Sequence, residues 1–497
     1  MALPGGDQGV TLLTLMPSPS KLSRRAAISR GLRIAAATAV GSMVLPRRAV
    51  GQTKSHVRTF DVRDFGAVGD GIILDSPAIQ HAIDAAAAAS TSSQSRVIVP
   101  GGRRFLVGSL TLRSRVDLHL ADDAELMVSV DPAHYAGGAV IQARDATGVS
   151  ITGTGNIRGR AREFMTHYDE VNEWWRPGPF RPRLFSLTGC RDLEVRDLSF
   201  SEAPSWGLHL LGCERVLVDG LRIRNLLDVP NCDGIDPDHC RDVEIRNCRI
   251  ACGDDAIVIK TTRQTEDFGP AARIHVHDCE IATQDSALKI GTETWQDVRD
   301  IVFERCRVTS SGRACTIQLR DAGNVSNVEF RDIEFVSQYF SDPWWGRGEP
   351  ISLTALPREP GTMVGTIRGV RVRNVTGRAE NSVRVSGTAG NPVRDVTLEN
   401  VAVTLDRWSK YPGGVFDNRP TRANDFPALE PHGTPGFHLR DAADVSLKNC
   451  RVAWGENCPG YFSHALEAEN VANLRRENFV GLAAHPSRDV AIVIRST

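Results

Sequence analysis

The chain has 497 residues, enough for a large core and for more than one domain unless it is built from repeats. Its net charge of −1 supplies no electrostatic footprint for nucleic acid or an anionic membrane. Its 44 glycines and 6% aromatic residues fit a turn-rich β protein.

The first segment predicts export. Ser23-Arg24-Arg25-Ala26-Ala27-Ile28 is a twin-arginine pattern, an apolar stretch runs from Ile34 to Leu45, and Ala49-Val50-Gly51 puts small residues before Gln52. Together they read as a bacterial Tat signal over residues 1–51, and Met16 is a start that would give it a more usual length. The competing reading is a chance Arg-Arg ahead of an alanine-rich helix. No later run approaches the ~18 apolar residues of a spanning helix. Residues 52–497 are therefore expected as one soluble domain, periplasmic or secreted and not inserted in a membrane.

Thr59 to Gly71 reads as strand and turn. Asp75 or Ser76 is placed to cap a helix through about Ala88, with Pro77 in its first turn, and that helix would cover the open end of a repeat stack. From about residue 190 the chain repeats itself. Arg191–Phe200, Glu214–Ile223, Arg241–Ile250 and Ala272–Ile281 share one template, continued at Arg299 and Ser326 and more loosely at Arg368, Arg394 and Ala443. Inside each unit apolar and polar residues alternate, the mark of a half-buried strand, and Asn, Asp or Gly stands at a kink. Each interval holds one coil of three short strands with turns. No such coil buries its apolar face alone, so the coils must stack as a parallel β-helix. A leucine-rich or propeller array lacks its Leu ladder or Trp-Asp signature. Wider intervals after residue 335 predict large loops around 336–366 and 404–440.

The eleven cysteines follow the repeat. Cys190, Cys213 and Cys240 each precede a unit, while Cys248, Cys279, Cys306 and Cys450 share one position inside it, as stacked small core side chains would. There is no CxxC and no His/Cys set at zinc spacing.

Asn231-Cys232-Asp233-Gly234-Ile235-Asp236, followed about one rung later by Gly253-Asp254-Asp255, is the most informative stretch. Burying an unpaired carboxylate is costly, so a strand core has no use for four of them. Glycoside hydrolysis does use a pair. The competing reading is that these acids only cap β-arcs, as Asp and Asn often do; their number and spacing favour the catalytic one.

These motifs resemble glycoside hydrolase family 28, the polygalacturonase-like enzymes of the pectin-lyase superfold. Val62 to Gly71 is similar to the N-terminal signature, Arg181–Ser186 and Pro204–His209 to lead-in coils, Asn231-Cys232-Asp233 to the Asn-x-Asp motif, and Gly253-Asp254-Asp255 to Gly-Asp-Asp. The resemblance implies an all-β, right-handed, single-stranded parallel β-helix and an inverting hydrolase without metal or cofactor, acting as a monomer on a polysaccharide or oligosaccharide. It also implies Asp254 as general acid, with Asp233 and Asp255 activating the attacking water. Inversion takes carboxyls roughly 6.5–9.5 Å apart, within reach of adjacent coils. Consecutive strand residues point to opposite faces, so Asp254 and Asp255 share a cleft only if the backbone bends, which Gly253 makes easier.

The chain departs from that family twice. Ser286 stands where the family carries the His of Gly-His-Gly, and Thr316-Ile317-Gln318 replaces Arg-Ile-Lys, whose cations grip a uronate. Thr and Gln offer neutral hydrogen bonds, so a neutral or differently decorated sugar, such as a rhamnogalacturonan-derived unit, is expected at the cleaved residue. Lys289, Arg313 and Arg320 are nearby cations, each more readily read as a solvated or interstrand charge. The candidate substrate contacts are Asn231, Ser286, Lys289, Thr316, Gln318, Arg320 and the pair Trp344-Trp345. Trp174-Trp175 is a second indole pair suited either to sugar stacking or to loop packing, and His209 reads as a core histidine. Two other functions remain open: a lyase or epimerase in which the aspartates ligate Ca²⁺, and a non-catalytic carbohydrate-binding β-helix.

Overall fold

The computed structural model describes residues 57–91, 93–423 and 426–496. The twin-arginine segment lies outside them. One 36-stranded sheet winds as a right-handed parallel β-helix, each strand pairing with its equivalent one coil on. On one face Arg191–Arg196, Glu214–Asp219, Arg241–Arg246, Ala271–His277 and Val298–Glu304 stack in register. Their inward residues form ladders, Val195 on Val218 on Ile245 on Val276 on Phe303, closed by the parallel rings of Phe303 and Phe330, 4.9 Å apart.

The kink residues explain why the chain turns at each coil. Asp197, Gly220, Asn247 and Asp278 all take left-handed backbone, with φ of 60°, 71°, 55° and 55°. Asn, Asp and Gly tolerate that region better than other residues. Further along, the corner asparagines tie coil to coil: Asn400 donates to Asn374, Asn449 to Asn400 and Asn478 to Asn449. All eleven cysteines are free thiols and ten are buried.

The helix Ser76–Ala89 packs Ile79, Ala82, Ile83 and Ala86 against the first coil. Its cap differs from expectation. Asp75 occupies the capping position, but its carboxylate accepts from Val68 and Gly69 N–H, and the Ser76 hydroxyl accepts from Gly108 N–H. Both side chains hold the adjoining turns and coil, not the helix end.

A second face carries the site. Its strands are Leu208–Leu211, Ile235–Asp238, Ile257–Thr261, Ser286–Thr294, Arg313–Leu319 and Glu349–Ala355. Inward positions are Leu, Ile, Cys or Pro; outward positions include His209, Asp236, Lys260, Lys289, Thr316 and Gln318. Loops cover this outward side, so Ile257–Thr261 and Arg313–Leu319 are buried along their whole length. Two antiparallel hairpins that no repeat announces complete the cover: Met165–Asp169 with Trp174–Pro177, and Val415–Asp417 with Leu429–Pro431.

Candidate active site

The acids lie in two turns that precede consecutive strands of the second face. In the first, Asn231 adopts φ 57°, and the Asn225 side chain donates to the carbonyls of Cys232 and Asp233, fixing the loop that presents Asp233. In the second, the backbone bends between Arg249–Cys252 and Ile257–Thr261, so that Asp254 and Asp255 reach the same cleft. Gly253 is needed there for close approach: a Cβ would stand 2.5 Å from Val229 O and 2.7 Å from Leu227 O. Its N–H instead meets Cys232 Sγ at 3.0 Å, locking one turn on the other.

One carboxylate oxygen from each of Asp233, Asp254 and Asp255 lies within 4.8 Å of the other two. Nearest oxygens understate the spacing of the groups. With ~1.2 Å for each C–O bond, carboxyl carbons up to about 7 Å apart are compatible with that figure. Asp254 accepts from Asn231 N–H at 2.9 Å and from Asp255 N–H at 2.9 Å. Asp233 and Asp255 are each matched to a lysine: Lys260 Nζ is 3.3 Å from Asp233 and 3.1 Å from Asp236, and Lys289 Nζ is 2.7 Å from Asp255. Both ammoniums and their partners are buried.

These neighbours separate the acids. Burial, and then the charges of Asp233 and Asp255, push the Asp254 carboxyl up to about 7. Burial and the adjacent Asp236 also push Asp233 upward, since these two carboxyls share one ammonium. Burial opposes the charge on both lysines, yet the surrounding carboxylates outweigh it and hold the ammoniums protonated. Asp254 is therefore the cleft carboxyl with its pKa near neutrality and no cation in contact, which suits a proton donor. The three carboxylates could together ligate a cation, but the lysines already neutralise two of them.

A cleft of about 250 Å³ surrounds the cluster. Asn231, Lys289, Trp344 and Trp345 line it, as do Trp174, Trp206, Lys260, Asp285 and Glu293. Trp206 lies under Lys260 Nζ, 3.9 Å from the ring centroid, and Trp174 meets Trp344 edge to face at 6.0 Å. Four other candidates do not line it. Ser286 is fully buried and donates to Asp285. Thr316 and Gln318 are fully buried beneath residues 417–421, where Gln318 donates to Arg419 O. Arg320 is buried and bonds to the carbonyls of Leu319, Thr354 and Asn418. Lys289, Arg313 and Arg320 were expected as solvated or interstrand charges; all three are buried, Arg313 against Asp417 and Glu349. His209 is a buried histidine bonded to Asp238.

Trp206, Lys260, Asp285 and Glu293 line the cleft although the sequence did not single them out. Lys260 was detectable: a lysine ending the run Ile257-Val258-Ile259 has no apolar role and must face a carboxylate or solvent.

Residues 89–411 match the model of glycosyl hydrolases family 28, a span that contains all three aspartates. This chain belongs to that family. A probable polygalacturonase of Vitis vinifera is 26% identical over 384 residues, covering 70% of this chain and 74% of the relative. One of Arabidopsis thaliana is 30% identical over 205 residues, covering 40% of this chain and 42% of the relative. The family 28 exopolygalacturonase of Yersinia enterocolitica superposes with a TM-score of 0.63 at 19% identity, over 84% of this chain and 78% of that one. The hyperthermoactive exopolygalacturonase of Thermotoga maritima gives 0.55 at 23% identity, over 70% and 87%. Membership makes the protein a glycoside hydrolase. Among the described residues no helix is long and apolar enough to cross a membrane.

Proposed function

We propose that this family 28 hydrolase is exported by its twin-arginine segment and cleaves a glycosidic bond of a pectin-type polysaccharide by inversion, without metal. The observation that carries this reading is the geometry of the three aspartates: Asp254 is held by the N–H groups of Asn231 and Asp255 with its carboxyl pushed up to about 7, while Asp233 and Asp255 each touch a lysine. Asp254 delivers its proton to the leaving glycosidic oxygen. Asp255, paired with Lys289, and Asp233 orient and deprotonate a water that attacks the anomeric carbon from the opposite side. The bond to the leaving oxygen breaks, the hydroxyl of water becomes the new anomeric hydroxyl, and its proton passes to the carboxylate.

The relatives are named polygalacturonases, which supports a pectic glycan as the substrate. The cleft is not free of cations, as the Thr316 and Gln318 exchange had suggested, because Lys260 and Lys289 line it. Both are committed to aspartates, however. Among the described residues that line the cleft, no cation is therefore free for a uronate at the cleaved position, and a neutral pectic sugar suits the site better.

The test is a panel of pectic polysaccharides with wild type and with Asp254→Asn. Reducing sugar released by wild type and lost in the variant is expected. Activity abolished by EDTA, with an unsaturated ultraviolet-absorbing product, would make the protein a lyase; binding without any cleavage would make it a carbohydrate-binding β-helix.

A further inference from the structure

The outward face of the β-helix is unequally covered on the two sides of the aspartates. Toward the N-terminus, His209 on the adjoining coil is buried, but the outward residues Gln142, Arg183 and Ser186 on the coils before it stay partly exposed. Toward the C-terminus the face is sealed. Thr316, Gln318, Thr354 and Arg384, on the next three coils, are each at most 1% exposed. The seal is the segment Asp417–Thr421. Its carbonyls accept from Arg313 at 3.1 Å, Gln318 at 3.3 Å and Arg320 at 3.4 Å, and the Asn418 side chain accepts from Arg384 at 2.7 Å. It is stitched to the loop carrying the cleft tryptophans, since Gly346 N–H donates to Asp417 at 2.8 Å and Arg419 donates to the carbonyls of Asp342 and Trp344.

A second contact closes the same end from the side. The hairpin tip at Asn172 and Glu173 reaches Ser341, Lys410 and Tyr411: Ser341 Oγ donates to Asn172 O at 2.8 Å, and Lys410 and Tyr411 both bond to the Glu173 carboxylate. Trp174 and Trp344 meet beside this bridge. A through-running polymer would have to displace the buried Arg313, Arg320 and Arg384 from their carbonyl partners, and orphaning buried charged donors is costly.

From this one-sided closure we infer that the enzyme is exo-acting: it accepts a chain end, seats the terminal sugar against Trp344, Trp345 and Lys289, and lets the rest of the chain leave toward the N-terminal coils. The inference rests on the proposed reading of Asp233, Asp254 and Asp255 as the bond-cleaving group.

Product profiling of the wild-type protein tests it. Polygalacturonan, rhamnogalacturonan and oligomers of both, fluorescently labelled at the reducing end, are digested and sampled from the first per cent of conversion. One short product of fixed length is expected from the outset, unlabelled with the labelled chain shortening stepwise if the non-reducing end is seated and carrying the label if the reducing end is, and viscosity should fall no faster than sugar is released. A ladder of intermediate lengths at early time, with a rapid loss of viscosity, would overturn the inference while leaving the hydrolase reading intact. Binding gives a readout independent of turnover. With Asp254→Asn and oligogalacturonides or rhamnogalacturonan oligomers of increasing length, the number of protein molecules bound per chain should stay at one. A number that rises with chain length would show internal binding and overturn the inference even if no panel substrate is cleaved.

Discussion

Asp254→Asn separates the chemistry of the site from its stability. In wild type, kcat/KM should fall above about pH 7, because Asp254 must carry its proton and its carboxyl titrates near 7. The amide has no proton to give, so turnover should drop by about 10²–10⁴-fold, the usual contribution of a positioned general acid, and the basic limb should vanish. The stability effect has a definite sign. A carboxyl raised from 3.8 to about 7 penalises the folded state once ionised. That penalty is absent below pH 4, grows as pH rises, and reaches about 4 kcal/mol above pH 7, at ~1.4 kcal/mol per pKa unit. The amide removes the penalty but has one acceptor oxygen for the two N–H donors of Asn231 and Asp255, and an orphaned donor costs about 1–3 kcal/mol. The variant should therefore be more stable than wild type at pH 8, by about 1–3 kcal/mol, and less stable at pH 4. Urea denaturation at the two pH values reads the crossover. A variant that keeps the basic limb, or one equally destabilised at both pH values, would refute the assignment of Asp254 as the proton donor.

Lys289→Met leaves the buried Asp255 carboxylate without its partner and should destabilise the fold by about 3–5 kcal/mol in urea denaturation. The double variant with Asp255→Asn should recover more than half of that loss; no recovery would mean the pair is not coupled. Polygalacturonate should be cleaved more slowly than rhamnogalacturonan, because Lys260 and Lys289 are already paired. Hydrolysis of polygalacturonate faster than that of rhamnogalacturonan would show that a cation grips the uronate after all. Replacing Arg24 and Arg25 together with Lys should trap the precursor in the cytoplasm on fractionation, and undiminished export would contradict the twin-arginine reading.

The β-helix was legible because its local chemistry repeats. Asp197, Gly220, Asn247 and Asp278 mark the left-handed corners, and the strands between them alternate cleanly because one side faces solvent. The catalytic turns were legible for the opposite reason: carboxylates and glycines interrupt that pattern. The rest was hidden by cover that repeats do not encode. Where loops bury the outward side, as over Ile257–Thr261 and Arg313–Leu319, alternation no longer separates core from site. Lys260 and Thr316 lie on the same outward side, yet only Lys260 lines the cleft, because Asp417–Thr421 lies across the later coils. The hairpin that brings Trp174 to Trp344 joins residues 170 positions apart, a contact that no spacing announces. Gly253 was expected to ease a bend, and its decisive property is the absence of a Cβ against Val229 O and Leu227 O.

The most direct test of the account is the configuration of the first sugar released. Proton NMR during the opening minutes of digestion, before mutarotation, should show a new reducing end in the anomeric form opposite to the bond cleaved, with no unsaturated signal and no sensitivity to EDTA. A product that retains the original configuration would mean that one of the three clustered aspartates attacks the sugar itself, and it would contradict the assignment of Asp233 and Asp255 to water.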